Sequence, residues 1–107
     1  MTVPRTLNEL FFGCIDRFRQ RPVAVRARKG EVWQETSYAT IHDQVQWMAA
    51  GLRELGVMPG SQVAILSENR PEWAITDFAC LTARCADVPI YPTLPPGQIA
   101  YILRDSG

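Results

Sequence analysis

Gln62-Val-Ala-Ile-Leu-Ser-Glu-Asn-Arg-Pro-Glu-Trp73 and, one short apolar stretch later, Ala86-Asp-Val-Pro-Ile-Tyr-Pro-Thr93 decide how this chain folds. Val63–Leu66 is an unbroken apolar run bounded by turn residues. It predicts a strand buried on both faces, as in a parallel sheet. Pro71 suits the first position of a helix, with Asn69 or Arg70 as its cap and Glu72 placed to favour the helix dipole. From Trp73 to Ala83 only Thr76, Asp77 and Thr82 interrupt the apolar character, so this helix is expected to be buried. Ala86–Ile90 then reads as a second strand. Strand, helix and strand within about 30 residues define a βαβ unit. Pro89 lacks an N–H for the ladder, which places this strand at an edge or ends it early.

Working outward, Val57–Ser61 is a turn, and before it Ile41, Val45, Met48, Ala49, Leu52 and Leu55 form the apolar stripe of a helix. Ser37 caps its start and Gly56 stands at the C′ position. Val23–Ala27 and Val32–Thr36 flank Arg28-Lys29-Gly30-Glu31, which predicts a β-hairpin with one wet face. Thr6-Leu-Asn-Glu9 is a capping box for a first helix carrying Leu7, Leu10, Phe11, Cys14, Ile15 and Phe18 on one stripe. Arg17, Arg19 and Arg21 load the C-terminal end of that helix, where cations suit the dipole, and read as a solvated end. After the second strand, Gln98–Ser106 is a last short helix with Gly107 as its cap. The fold class is therefore α/β: a hairpin plus a parallel βαβ unit, dressed with amphipathic helices.

Bulk properties narrow the function. The 107 residues are 47% hydrophobic and 21% charged, an ordinary globular composition. Eleven basic and eleven acidic side chains cancel, leaving no net field for nucleic acid. Cys14, Cys80 and Cys85 are odd in number and lack C-x-x-C spacing. Buried, reduced thiols in a cytoplasmic protein are expected, rather than disulfides or a zinc site. No run approaches the roughly 20 apolar residues of a membrane span. Contact with a membrane surface stays open. His42 lies off its helix stripe beside Asp43 and is expected to be exposed, without a nucleophile or metal partner. Lys29 is the only lysine and sits in a turn; no glycine-rich phosphate loop accompanies it.

Several segments, in order, resemble the acyl-adenylate-forming (AMP-binding) enzymes. Thr36-Ser-Tyr-Ala-Thr-Ile41 is similar to their first core motif, with Thr40 and Ile41 replacing the usual Glu-Leu. Leu81-Thr-Ala-Arg-Cys-Ala-Asp-Val-Pro-Ile90 is similar to the second, with Cys85 where a glycine is normal. Ser67-Glu-Asn-Arg-Pro-Glu-Trp73 and Ile90-Tyr-Pro-Thr93 look like the versions found in long-chain fatty acyl-CoA synthetases. The resemblance implies an N-terminal subdomain of the adenylate-forming fold, with residues 1–107 forming one incomplete segment of an AMP-binding domain. It implies a parent enzyme that uses ATP, Mg²⁺ and CoA to turn a fatty acid into an acyl-adenylate and then a thioester, with the remainder of the ligase as this segment's partner. Phosphate-holding, metal-holding and charge-neutralising residues belong to later segments of that family. No catalytic, cofactor-binding or metal-binding residue is therefore assigned in 1–107, and the isolated chain is expected to be inactive and marginally stable.

Ser67 and Asn69 stand where α/β folds place ligands, beyond the carboxyl end of a strand. Asn69 nevertheless reads first as a helix cap and Ser67 as a loop polar group. Tyr91, Pro92 and Thr93 are expected to fix the turn after the second strand, and Trp33, Trp47 and Trp73 to act as packing aromatics. Two other readings compete within the family and outside it. One is an aryl, medium-chain or amino-acid adenylating relative. The other is a non-catalytic module that docks a partner through an open sheet edge. A free-standing nucleotide-binding domain fits least, because neither phosphate-loop fingerprint occurs.

Overall fold

A computed structural model describes residues 3–107. The order is α1 (Leu7–Phe18), β1 (Val25–Lys29), β2 (Val32–Thr36), α2 (Tyr38–Glu54), β3 (Gln62–Leu66), α3 (Pro71–Thr82), β4 (Ala86–Ile90) and α4 (Pro96–Ser106). β1 and β2 pair antiparallel, from Val25 opposite Thr36 to Lys29 opposite Val32. β3 and β4 pair parallel, from Gln62 beside Ala86 to Leu66 beside Ile90. The α/β class, the hairpin and the βαβ unit are all present, and among the described residues β4 pairs with β3 alone.

Local chemistry sets most of the boundaries. The Thr6 hydroxyl accepts from the Glu9 N–H at 3.0 Å, as a capping box requires. The Glu9 carboxylate reaches back one residue further than expected, accepting from the Arg5 N–H at 2.6 Å. Ser37 caps α2 by accepting from the Thr40 N–H at 3.1 Å. At the other end of α2 the N–H of Gly56 donates to Arg53 and that of Val57 to Leu52, a Schellman ending with Gly56 at φ 92°. Gly30, at φ 65°, opens the two-residue hairpin turn. α4 begins two residues before the predicted start, at Pro96, because proline is favoured at N1.

The end of α3 holds a local strain one residue before the position where Cys85 replaces the motif's glycine. Its last turn also closes as a Schellman pair, Arg84 donating to Leu81 and Cys85 to Cys80. The left-handed residue is Arg84, at φ 62°, while Cys85 is buried in an ordinary conformation. Replacing glycine by cysteine at position 85 therefore imposes no positive-φ penalty. Arg84, which has a Cβ, carries it instead.

The core is helical. Phe11 and Ile15 of α1, Ile41, Val45 and Ala49 of α2, and Ala79 of α3 form one buried cluster, with Val45 and Ala79 fully enclosed. Phe11 stacks on Phe78 with ring centroids 4.2 Å apart. The Asn8 amide ties α1 to the Leu81 carbonyl of α3 at 3.0 Å, leaving its own buried oxygen without a partner. Arg17 and Arg21 place their guanidinium groups 5.2 and 4.9 Å from the Phe18 ring, so two of the three arginines stack on an aromatic instead of simply meeting solvent.

Outside that cluster, apolar surface is left open. β3 buries Ile65, but Ala64 is exposed and Leu66 is 51% exposed, so the strand is covered on one face and not on two. α3 is mostly half-buried. Met48 and Leu55 fall off the buried face of α2, and Trp33 and Trp47 are 57% and 69% exposed, so neither is a core aromatic. Trp33 lies opposite Arg28 on the hairpin face that also carries the Arg26–Glu35 ion pair. α4 buries no residue fully and leaves Tyr101 and Leu103 exposed. The accessible surface of 7902 Å² exceeds the about 6,000 Å² expected of a folded 12.0 kDa monomer.

Candidate functional site

The βαβ unit brings the two sequence-singled residues, Ser67 and Asn69, to the carboxyl ends of β3 and β4. Together with Trp73, Ile90, Tyr91 and the prolines at 89 and 92 they line a cleft of 540 Å³. This is where an open α/β sheet binds its ligand. Its walls are apolar and aromatic, with the Ser67 hydroxyl and the Asn69 amide as the polar groups. Ser67 donates to the Glu68 carbonyl at 2.9 Å, consistent with a loop-shaping role.

Asn69 is not the cap of α3. The cap position is Arg70, extended at φ −155° and ψ 161°, and no side chain bonds the helix end there. Pro71 supplies no N–H to cap, and the Trp73 N–H is served by the Arg70 carbonyl at 2.9 Å. Freed from capping, the Asn69 side chain belongs to the cleft, where its amide offers both donors and an acceptor. Arg70 turns to Glu72, Nε to carboxylate 2.9 Å. That hydrogen bond and charge hold the Glu72 carboxyl below its ordinary range and the Arg70 guanidinium above its own.

A second, wider cleft of 1330 Å³ lies between the hairpin, α2 and the start of α3, with Trp33, Trp47, Met48, Arg28 and Lys29 on its walls. On the far wall the Lys29 charge adds the smallest of the contributions that hold the Glu72 carboxyl down. His42, expected to be exposed, is half-buried: its ring meets Phe12 edge-on at 5.8 Å and its Nδ1 lies 3.3 Å from Asp43.

Sequence reasoning missed one cluster. Asp77 of α3 and Asp87 of β4 face each other between helix and strand. Burial, then the hydrogen bond and charge of Asp87, push the Asp77 carboxyl up to about 6. Beside them Cys80 is fully enclosed, and burial with the same two carboxyls pushes its thiol up to about 11. The available signal was an Asp inside each of two otherwise apolar elements. Among the described residues no group of three or more His, Cys, Asp or Glu could hold a metal ion. Neither cleft has a glycine-rich phosphate cradle, and the one lysine stands at the hairpin tip, so the residues present do not fit ATP and Mg²⁺.

Residues 12–107 match the AMP-binding enzyme family, and the chain belongs to that family. A long-chain-fatty-acid–CoA ligase, FadD15, of Mycobacterium bovis is 43% identical over 75 residues, which are 70% of this chain and 12% of the ligase. Surfactin synthase subunit 2 of Bacillus subtilis is 30% identical over 103 residues, 96% of this chain and 3% of that protein. The N-terminal subdomain of Klebsiella oxytoca NpsA superposes with a TM-score of 0.82 at 23% identity, covering 94% of this chain and 25% of that one, which establishes the shared fold. The chain thus spans a small fraction of the relatives it matches. Among the described residues no helix is long and apolar enough to cross a membrane.

Proposed function

We propose that this chain works as the N-terminal part of an AMP-forming long-chain fatty acid–CoA ligase, a single incomplete segment that carries no catalytic motif of its own. The 43% identity to a long-chain ligase across most of the chain is the observation that carries the reading. The parent would take a fatty acid, ATP and Mg²⁺ to an acyl-adenylate and pass the acyl group to CoA, in the cytoplasm or against a membrane surface. Residues 1–107 contribute scaffold: a helical core, a βαβ unit and an open apolar surface for the remainder of the ligase to cover. The chemistry belongs to that remainder, since neither cleft here suits a triphosphate.

Reading the source gene past the Gly107 codon tests this directly. An open frame that supplies a Ser/Thr/Gly-rich loop and a lysine supports it; an immediate stop codon overturns it and leaves a partner-docking module. A panel of acids on the longer product then tests the substrate. Activation of long-chain acids is expected, and their rejection in favour of amino or aryl acids would move the protein to the branch favoured by its 30% identity to surfactin synthase.

A further inference from the structure

Taking the chain as the first part of a longer ligase, we infer that the free edge of β3 receives the strand that follows Gly107. The completed sheet then runs new strand, β3, β4.

Hydrogen-bond phase leaves β3, and not β4, able to extend the sheet. The Ala86 N–H donates to the Ser61 carbonyl at 3.0 Å, and Gln62 lies beside Ala86 in the parallel register. Along a strand, alternate residues turn N–H and C=O to the same side. Val88 and Ile90 therefore face β3 as Ala86 does, while Asp87 and Pro89 face the far edge of β4. Pro89 has no N–H to give there, so that edge cannot carry an unbroken ladder. On β3, Val63 and Ile65 face β4 as Ser61 does. Gln62, Ala64 and Leu66 turn complete N–H and C=O pairs outward, and among the described residues no strand pairs with them. No proline or charged residue guards that edge, so it is open to pairing.

The connection through α4 leads to the same side. α3 packs on both strands, and the covered residues of β3 are Val63 and Ile65. Gln62, Ala64 and Leu66 point to the opposite face, by the two-residue period of a strand. Gly107, the C-cap of α4, meets that face: a Cβ placed on it would stand 3.2 Å from Gln62 Oε1. α3 and the end of α4 thus lie on opposite faces of the sheet. A right-handed crossover through α3 carries the chain from β3 to β4; a right-handed crossover on the other face carries it back past β3. Position agrees with handedness. Gly107 stands beside Gln62, the first residue of β3, so a chain leaving it starts level with β3 and can run parallel to it. β3 becomes an inner strand, and Ser67 and Asn69 then sit over the middle of the sheet instead of its margin.

The longer gene product tests this by residue-resolved amide exchange and by its crystal structure. The N–H groups of Ala64 and Leu66 should exchange as slowly as those of Val63 and Ile65. In the crystal structure the first strand after Gly107 should lie parallel along β3. That strand paired to the far edge of β4, a second copy of the chain on the edge of β3, or Ala64 and Leu66 amides exchanging at the rate of the hairpin tip would overturn this strand order and leave the ligase reading intact. A stop codon directly after the Gly107 codon would remove both.

Discussion

The helical side of this molecule closes on itself, and the sheet side does not. α1, α2 and α3 enclose six core residues, and the aromatic stack of Phe11 on Phe78 seals them. The hairpin, the outer face of β3 and α4 leave Trp33, Leu66 and Tyr101 more than half exposed. The radius of gyration, 15.4 Å against about 13 Å for a compact domain of this length, reflects that second half. Burial is thus concentrated in the helical cluster, while both clefts open between the helices and the strands. That is the division expected of a scaffold whose apolar face serves as a contact surface.

Core truncation should break the helical side most severely. Phe11→Ala removes a buried ring and its stack on Phe78, and is expected to cost about 3–5 kcal/mol in urea unfolding. A loss below about 1 kcal/mol would show that the helical core is not closed. Next in size is the cap of α2: Ser37→Ala leaves the Thr40 N–H unserved and should cost about 1 kcal/mol by the same measurement. Arg84→Gly relieves the left-handed position at the end of α3, and a gain of about 1 kcal/mol is expected, read as a raised melting temperature. The sheet side should barely respond. Trp33→Ala and Leu66→Ala are each expected to change stability by less than about 0.5 kcal/mol, because their surfaces face solvent. A cost as large as that of Phe11→Ala would erase the distinction between the two regions.

Much of this fold was legible because local chemistry specifies it. Ser37, Gly56, Gly30 and Pro71 each do what their residue type dictates at a turn or helix end. The strand–helix–strand order follows from apolar runs punctuated by turn residues. Coverage was not legible. The run Val63–Leu66 states that a strand is apolar, not what lies over each of its faces, so burial of Leu66 was overestimated. Trp33 and Trp47 were misjudged for the same reason, since aromatic character alone does not place a side chain in a core. Arg84 was overlooked because no local rule predicts an arginine at positive φ. At the candidate site, Ser67 and Asn69 were found from their position after β3, yet the cap position falls on Arg70, one residue past Asn69, and no side chain bonds the helix end. Asp77 and Asp87 lie ten residues apart and meet only through the crossover of α3 onto β4, a contact that sequence spacing does not reveal.

The most direct test of the scaffold account is fatty-acid-dependent ATP–pyrophosphate exchange, run side by side on the purified 107-residue chain and on the longer gene product. The account predicts exchange with long-chain acids by the longer product and none by the chain alone. Exchange catalysed by the isolated chain, or a longer product that activates no carboxylic acid, would contradict it.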